Sequence, residues 1–180
     1  EGCIALKSRI TYQSLQEVID WVVGAGRSPL FLMLDGITDV RNIGGIARTA
    51  YCTGVDAIII PDKGVGALQE DAMLTSAGAL EKIAICRVDS LFKAVDTLHL
   101  NGVQVYATQM KGGTSLKDAN FVEPCCIILG SEDKGIYPAL LKGADATVYI
   151  PMQGDFDSLN VSVSTGIILF EAMNQRMAKK

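Results

Sequence analysis

The chain has 180 residues, of which 49% are hydrophobic and 20% are charged, and its formal net charge is −4. This length and composition predict one globular domain with a substantial core. The sequence contains no run of about 18 or more apolar residues, which is the length that a membrane-spanning helix needs. The acidic balance argues against non-specific nucleic-acid binding by the whole surface, although it is compatible with a local basic site.

Short apolar runs alternate with helical segments along the chain. The runs are apolar throughout rather than alternating, which is typical of a parallel sheet covered on both faces. The order of elements therefore predicts an α/β domain with right-handed crossovers and a site beyond the carboxyl ends of the strands. In chain order we predict helix Ser14–Val23, strand Leu30–Leu34, helix Ile43–Thr53, strand Val55–Ile60, helix Leu68–Ala77, strand Ile83–Val88, helix Leu91–Leu100, strand Val103–Ala107, strand Cys125–Leu129, helix Pro138–Leu141, strand Thr147–Ile150 and helix Ser158–Met177.

The N-terminal region and the cysteines indicate in which cellular compartment the protein is expected. The first 13 residues lack the basic and then apolar layout of a signal peptide. We interpret residues 1–29 as a linker and an outer helix, ahead of the main domain at 30–180. The cysteines have no metal-ligand spacing, so we predict reduced, buried thiols in a cytoplasmic protein. They are Cys3, Cys52, Cys86, Cys125 and Cys126.

The first strand end that carries unusual residues lies within residues 34–50. Asn42 stands where an N-cap belongs, and the next turn contains Gly44 and Gly45, each costing about 1 kcal/mol relative to alanine. Arg48 lies on the same face as the two glycines, so N–H groups, the helix dipole and a guanidinium would converge on a phosphate. A helix packed closely against a strand, with Arg48 in a salt bridge, explains this loop equally well. No G-x-G-x-x-G dinucleotide fingerprint is present.

The second strand end lies within residues 129–136. A buried strand runs directly into Gly130, Ser131 and Glu132, and Gly135 breaks the chain before Pro138 begins a short helix. A carboxylate there can accept hydrogen bonds from a ligand or hold a neighbouring loop. Taken alone, the segment favours the simpler interpretation of a capped turn.

The third strand end lies within residues 150–172. We predict Ser158 as the N-cap of the last helix. Asn160 and Ser164 are four residues apart on one helix face and are not required as caps. We therefore expect a polar ligand or another segment of polypeptide against them.

Together these segments resemble the SpoU/TrmH family of RNA ribose 2′-O-methyltransferases, within the SPOUT superfamily. The resemblance covers about residues 30–175 and also includes "TSAGALEKI" at 75–83. The chain is similar above all to enzymes that methylate a guanosine ribose in large-subunit rRNA. The second substrate class that the resemblance implies is tRNA. Its marks are N-x-G-x-x-x-R-T-A at Asn42–Ala50, L-G-x-E-x-x-G at Leu129–Gly135 and I-P-M-x-G-x-x-x-S-L-N-V-S-V at Ile150–Val163.

The resemblance implies an α/β parallel-sheet SPOUT fold with a C-terminal deep trefoil knot, and it makes 30–180 the catalytic domain. It implies S-adenosylmethionine as cofactor, RNA as partner and a homodimer through the knotted face, with apolar surface from Phe170, Met173 and Met177. Related enzymes often carry a small N-terminal domain, so we expect a truncated or naturally short version here.

The resemblance also implies roles for individual residues. The catalytic set is Asn42, Arg48, Glu132, Ser158 and Asn160. Charge predicts an RNA-binding set of Arg41, Arg48 and Lys134, and no group of residues has the spacing of metal ligands. The cofactor-binding set is Thr108, Gly130, Ser131, Ile150, Met152, Leu159, Asn160 and Ser164.

The sequence also bears on two other functions. A nucleotide-binding oxidoreductase would need a G-x-G-x-x-G turn with an acidic residue about 20 positions on, and neither is present. A non-catalytic RNA-binding or ribosome-assembly factor would keep the fold and lose Asn42, Arg48 or the third motif, all of which are retained. The only histidine, His99, stands at a predicted helix end, which favours a structural role.

Overall fold

The computed structural model describes residues 10–63 and 76–179, which form a seven-stranded sheet flanked by helices. Every pair of neighbouring strands in this sheet is parallel. The strand order is β3-β2-β1-β6-β4-β7-β5. The strands are β1 Leu30–Asp35, β2 Ala57–Pro61, β3 Ala84–Val88, β4 Gln104–Thr108, β5 Thr114–Ser115, β6 Cys125–Gly130 and β7 Ala146–Tyr149.

The helices cover both faces of the sheet. A 3-10 helix, Leu116–Asp118, follows β5 directly. The α-helices of the described residues are α1 Leu15–Gly24, α2 Val40–Cys52, α3 Ala79–Lys82, α4 Leu91–Leu100, α5 Pro138–Gly143 and α6 Val161–Ala178. None of them is both long and apolar enough to cross a membrane.

Alternation along the central strands divides the core into two hydrophobic layers. On β1, Leu30, Leu32 and Leu34 face the layer that contains α2 and α6, whereas Phe31 and Met33 face the layer that contains α1, α4 and α5. Successive side chains of a strand point to opposite faces, so a strand buried on both sides must be apolar at every position. This is why the predicted strands contained no polar alternation.

The predicted strands are confirmed with boundaries within two residues of those observed. The two-residue strand β5 was not predicted, because Thr114–Ser115 is too short to produce an apolar run. Most of the predicted helix Leu68–Ala77 lies outside the described residues, and its last two residues form a turn. The trefoil knot stays a prediction.

Both predicted N-caps are wrong. Helix α2 begins earlier than expected, and its N-cap is Asp39, whose carboxylate accepts from the N–H groups of Arg41 and Asn42. Helix α6 begins later than expected, and Asn160 caps it by accepting from Ser162 N at 2.9 Å. Ser158 lies outside that helix. Each true cap is also a good capping residue, so propensity alone could not choose between neighbouring candidates.

The end of α6 is tied to the amino edge of the sheet. Arg176 donates to the carbonyl oxygens of Phe121, Ser28 and Pro29 at 2.7, 2.6 and 3.0 Å. Gln175 accepts from Phe121 N at 2.8 Å. These contacts join three distant parts of the chain and add acceptors and donors for backbone groups at the sheet edge, among them Pro29 O, which also accepts from Cys125 N at 3.0 Å.

Candidate functional site

A large cavity opens where strands β4, β6 and β7 end. Its volume is about 670 Å³, and it lies beside Thr108, Gly130 and Tyr149, the last residues of those three strands. The Thr108 hydroxyl donates to Ile128 O at 2.9 Å, which ties the end of β4 to β6. Loops beyond the carboxyl ends of parallel strands are where α/β proteins bind ligands, so this cavity lies where the site was predicted.

Most of the predicted cofactor-binding residues lie around this cavity. The exception is Asn160, which is not among the lining residues and whose side chain makes other contacts. Ser158, predicted as catalytic, also lines the cavity. The predicted cofactor-binding residues that do line it are Thr108, Gly130, Ser131, Ile150, Met152, Leu159 and Ser164.

The turn after β6 can be built only with glycine at two positions. A Cβ on Gly130 would lie 2.3 Å from the carbonyl carbon of Gly135 and 2.4 Å from Ile136 N, far closer than atoms tolerate. Gly135 has φ +66°, the left-handed conformation that glycine adopts without strain. Its N–H donates to Ser131 O at 2.9 Å. The chain therefore folds back on the end of β6 and forms one wall of the cavity.

Glu132, carried on this turn, connects the three sequence segments singled out above. Its Oε1 accepts from Asn160 Nδ2 at 2.9 Å and from Val161 N at 3.0 Å, at the amino end of α6. Asn160 Nδ2 also lies 3.4 Å from Asn42 Oδ1 on α2. A carboxylate at a helix N-terminus is stabilised by the unpaired N–H groups and the helix dipole. The segment was interpreted either as a capped turn or as a turn whose carboxylate holds a neighbouring loop. Both interpretations apply, because the turn is tight and Glu132 also holds the amino end of α6.

Helix α2 contacts α6 at Gly45. A Cβ on Gly45 would lie 3.6 Å from the Cβ of Ser162, so the second helix covers the surface that we expected to be open. Arg48 is exposed, and among the described residues it makes no hydrogen bond or ion pair. The salt-bridge alternative therefore has no partner in the described part of the chain. Residues three apart share a helix side, which leaves Arg48 near the seam between α2 and α6.

The predicted RNA-binding residues lie on two elements. Arg41 and Arg48 are exposed on α2, and Lys134 is exposed on the turn after β6, where it lines the cavity. Lys111, on the loop after β4, also lines the cavity. Two lysines therefore border the cavity, within a chain whose net charge is −4, whereas Arg41 and Arg48 lie outside its lining.

One wall of the cavity was missed by sequence reasoning. The loop after β4 contributes Gln109, Met110 and Leu116, besides Lys111. The sequence feature that could have indicated this wall is the pair Gly112 and Gly113, which follows the end of β4. Gly113 has φ +82°, and a Cβ there would overlap the side chain of Thr147 on β7. Two adjacent glycines after a predicted parallel strand indicate a loop that presses on the sheet edge.

The buried cysteines are structural. Cys86, Cys125 and Cys126 are buried free thiols, as predicted, whereas Cys52 is exposed at the end of α2. Burial raises the pKa of Cys86 to about 12 and that of Cys125 to about 11, so both thiols stay protonated at neutral pH. A protonated, inaccessible thiol is a poor nucleophile.

The fold and the site define a class. A parallel α/β sheet whose cavity is walled by the loops after β4, β6 and β7 has the architecture in which α/β domains bind ligands at the carboxyl ends of their strands. The model of the SpoU rRNA Methylase family matches residues 29–170. The chain therefore belongs to the SpoU rRNA methylase family.

Individual relatives agree with this assignment. The 23S rRNA (guanosine-2′-O-)-methyltransferase RlmB of Vibrio parahaemolyticus is 34% identical over 180 residues, covering 100% of this chain and 72% of that protein. An uncharacterized tRNA/rRNA methyltransferase of Synechocystis, slr0955, is 34% identical over 176 residues, covering 98% of this chain. The crystal structure of the SpoU methyltransferase AviRb from Streptomyces viridochromogenes, in complex with the cofactor AdoMet, superposes with a TM-score of 0.83 at 25% identity and covers 93% of this chain.

The chain is shorter than several of these proteins. It spans 46% of the Synechocystis protein and 66% of AviRb.

Proposed function

We propose that this chain is the catalytic domain of an S-adenosylmethionine-dependent enzyme that methylates a ribose 2′-OH in structured RNA, with rRNA as the first substrate class and tRNA as the second. The observation that carries the proposal is the convergence of all three family segments on one site. Asn42 on α2, Glu132 on the turn after β6 and Asn160 at the amino end of α6 form one hydrogen-bonded group beside the cavity.

The cavity fits the cofactor in size and in chemistry. Its volume of about 670 Å³ lies within the range of small-molecule and cofactor sites. Ile136, Ile150 and Leu159 supply an apolar wall for an adenosyl group, and the carboxylates of Asp133 and Asp157 suit a cationic ligand. We propose that the strand-end backbone at Thr108, Gly130 and Met152 holds the adenosyl group. When bound, S-adenosylmethionine supplies an electrophilic methyl group.

The residues of α2 would hold the RNA. Arginine stays protonated in proteins, so we assign Arg48 to clamping the phosphate next to the target ribose and stabilising negative charge on its 2′-oxygen. Arg41 and Lys134 would bind neighbouring phosphates, and Asn42 and Ser158 would orient the nucleotide. Holding the 2′-OH next to the methyl group contributes on the order of several kcal/mol by itself.

Glu132 is a positioning residue in this proposal. Its hydrogen bonds to Asn160 and Val161 hold the amino end of α6 against the cavity, where Ser164 forms part of the lining. Asn160 would act on the cofactor through this contact and as the cap of α6. Because S-adenosylmethionine binds in the same space, loosening the contact should weaken cofactor binding before it changes the chemistry.

Two measurements test the function. Isothermal titration calorimetry with S-adenosylmethionine asks whether the cavity binds the cofactor. Transfer of a labelled methyl group to unmodified rRNA and tRNA, followed by mapping of the modified nucleotide, asks whether the chain is a catalyst and on which RNA. Cofactor binding without transfer to either RNA would favour the non-catalytic RNA-binding alternative.

We predict that methyl transfer needs no metal ion. No His, Cys, Asp and Glu side chains of residues 10–63 and 76–179 form a group of three or more that could hold one. Treatment with EDTA should leave the rate unchanged on RNA that has been folded beforehand and shown to stay folded. Loss of activity that a single transition metal restores would contradict the prediction.

We further propose a homodimer in the cytoplasm. An exposed apolar stripe on α6 supports the dimer, since Val163, Ile167, Phe170 and Met177 are 51%, 39%, 56% and 60% exposed and follow helical spacing. Met173, also predicted for this surface, is half-buried. The buried free thiols of Cys86 and Cys125 suit a reducing compartment.

Sedimentation equilibrium at micromolar concentration tests the dimer. The wild type is expected to give twice the chain mass, and Phe170→Glu should give a monomer because it places a charge within an apolar interface. Leu100→Glu is the matched control, since Leu100 is 88% exposed at the end of α4, on the other face of the sheet. A monomeric wild type would contradict the proposal.

A further inference from the structure

A second cavity lies beside the first, on the other side of the segment that follows the turn after β6. Its volume is about 260 Å³, and it is formed where β1 ends and where α4 and α5 begin. Ile136 lines the first cavity and the next residue, Tyr137, lines the second. Asp35, in the second cavity, is the register partner of Gly130, in the first. The proposed reaction makes no use of this cavity.

Two exposed aromatic rings form its mouth. Phe92 and Tyr137 are 47% and 61% exposed, and their ring centroids are 6.1 Å apart in an edge-on arrangement with an interplanar angle of 83°. Both rings are held on fixed backbone. Tyr137 N donates to Asp35 Oδ2 at 2.7 Å, and Phe92 lies in the first turn of α4, which Ser90 caps. Exposed aromatic faces at the mouth of a cavity are surfaces on which an unpaired nucleobase stacks.

A carboxylate with spare acceptor capacity lies behind the rings. Asp35 uses Oδ2 for Tyr137 N, while its Oδ1 makes no hydrogen bond to any described residue. The other carboxylate of this cavity, Asp89, is paired with Lys93 at 3.3 Å. A carboxylate only accepts hydrogen bonds, so Asp35 is suited to a ligand edge that presents N–H donors.

We propose that this second cavity binds an unpaired guanine base of the RNA substrate. The inference rests on the proposed function and deepens it. Guanine presents two adjacent donors, N1–H and the N2 amino group, to a carboxylate. Adenine and cytosine place an acceptor next to their amino group, and uracil offers a single donor, so Asp35 discriminates against all three. A cavity of about 260 Å³ suits one base better than a larger ligand. Extruded bases are read in this way, through their Watson–Crick edge and by aromatic stacking.

The experiment uses the full 180-residue chain and fluorescein-labelled RNA pentamers with the sequences UUGUU, UUIUU and UUAUU, where I is inosine. Binding is measured by fluorescence anisotropy. UUGUU is expected to bind about tenfold more tightly than UUAUU, with UUIUU between them because inosine lacks the N2 amino group. Phe92→Leu and Tyr137→Leu should each weaken UUGUU binding about tenfold, the scale of one lost base stack. Asp35→Asn keeps an acceptor for Tyr137 N but adds donors, so it should abolish the preference for guanine.

The control is Trp21→Leu, which removes an aromatic ring that is 69% exposed on α1 and stacks with Arg27 beyond the amino edge of the sheet. It should bind all three pentamers as the wild type does. Calorimetry with S-adenosylmethionine checks that the Phe92 and Tyr137 variants remain folded.

Equal wild-type affinity for the three pentamers, or Phe92 and Tyr137 variants that bind as the wild type does, would overturn the inference. Variants that change the sedimentation mass and not RNA binding would also overturn it, since the rings would then be a protein contact. Failure of the proposed function looks different, because the wild type would then neither bind S-adenosylmethionine nor methylate RNA.

Discussion

Replacing Arg48 with alanine is expected to lower the rate of RNA methylation by a factor of about 100 or more, while the affinity for S-adenosylmethionine stays within a few-fold of the wild type. Losing one preorganised donor that stabilises developing negative charge has an effect of this size. The cofactor affinity should persist because Arg48 does not line the large cavity. The side chain is exposed and makes no hydrogen bond or ion pair with the other described residues, so its removal should leave the fold unchanged.

The measurement pairs calorimetry for the cofactor with single-turnover methylation of one RNA. Arg48→Lys should also be slow, because a point charge cannot reproduce the planar fork of a guanidinium. Arg41→Ala is the matched comparison, since Arg41 is an exposed arginine on the same helix, assigned only to RNA binding. It should raise the RNA concentration needed for half-maximal rate and leave the rate at saturation nearly unchanged. An Arg48→Ala protein that methylates at the wild-type rate would remove Arg48 from the mechanism.

Replacing Gly130 with alanine is expected to lower the affinity for S-adenosylmethionine by a factor of about 100 or more. The new Cβ would lie 2.3 Å from the carbonyl carbon of Gly135, and backbone atoms on both sides would have to move. That movement displaces one wall of the cavity and withdraws Glu132 from Asn160 and Val161. Overpacking of this kind should also lower the free energy of unfolding, by about 1–3 kcal/mol.

Calorimetry and chemical denaturation of the same preparation measure both effects of Gly130→Ala. Gly24→Ala is the matched control, because no atom lies within 4 Å of a Cβ added there and its φ is not positive. It should bind the cofactor as the wild type does. Wild-type affinity in a folded Gly130→Ala protein would mean that the turn after β6 is not part of the cofactor site.

The strands could be predicted from the sequence because their cause is local in the chain. Each central strand is buried on both faces, so every residue from Leu30 to Leu34, or from Cys125 to Leu129, must be apolar. Periodicity alone also indicated the helices α1, α4 and α6, and it placed the site at the carboxyl ends of the strands. The three family segments carried the functional prediction, because their residue types and spacing resemble the motifs of the family whose model matches residues 29–170.

Helix boundaries were harder to predict from the sequence, because several neighbouring residues are each suited to be the N-cap. Asp39 and Asn42 are both good caps, as are Ser158 and Asn160, and propensity differs little between them. The choice depends on which backbone N–H groups lie unpaired once the helices have docked. At α6, the contact of Glu132 with Val161 N and Asn160 determines where the helix begins.

The sequence by itself determined the layered α/β fold, the family and the edge of the sheet where the large cavity opens, because burial patterns and motifs depend on residues that are close together in the chain. Only the tertiary structure decided which side chains meet. It joined Asn42, Glu132 and Asn160 across as many as 118 positions of the chain, covered Gly45 with Ser162 and aligned Asp35 with Phe92 and Tyr137 in a second cavity. Such contacts depend on how helices and turns pack around the sheet, and the free energy of that packing is shared among residues far apart in sequence.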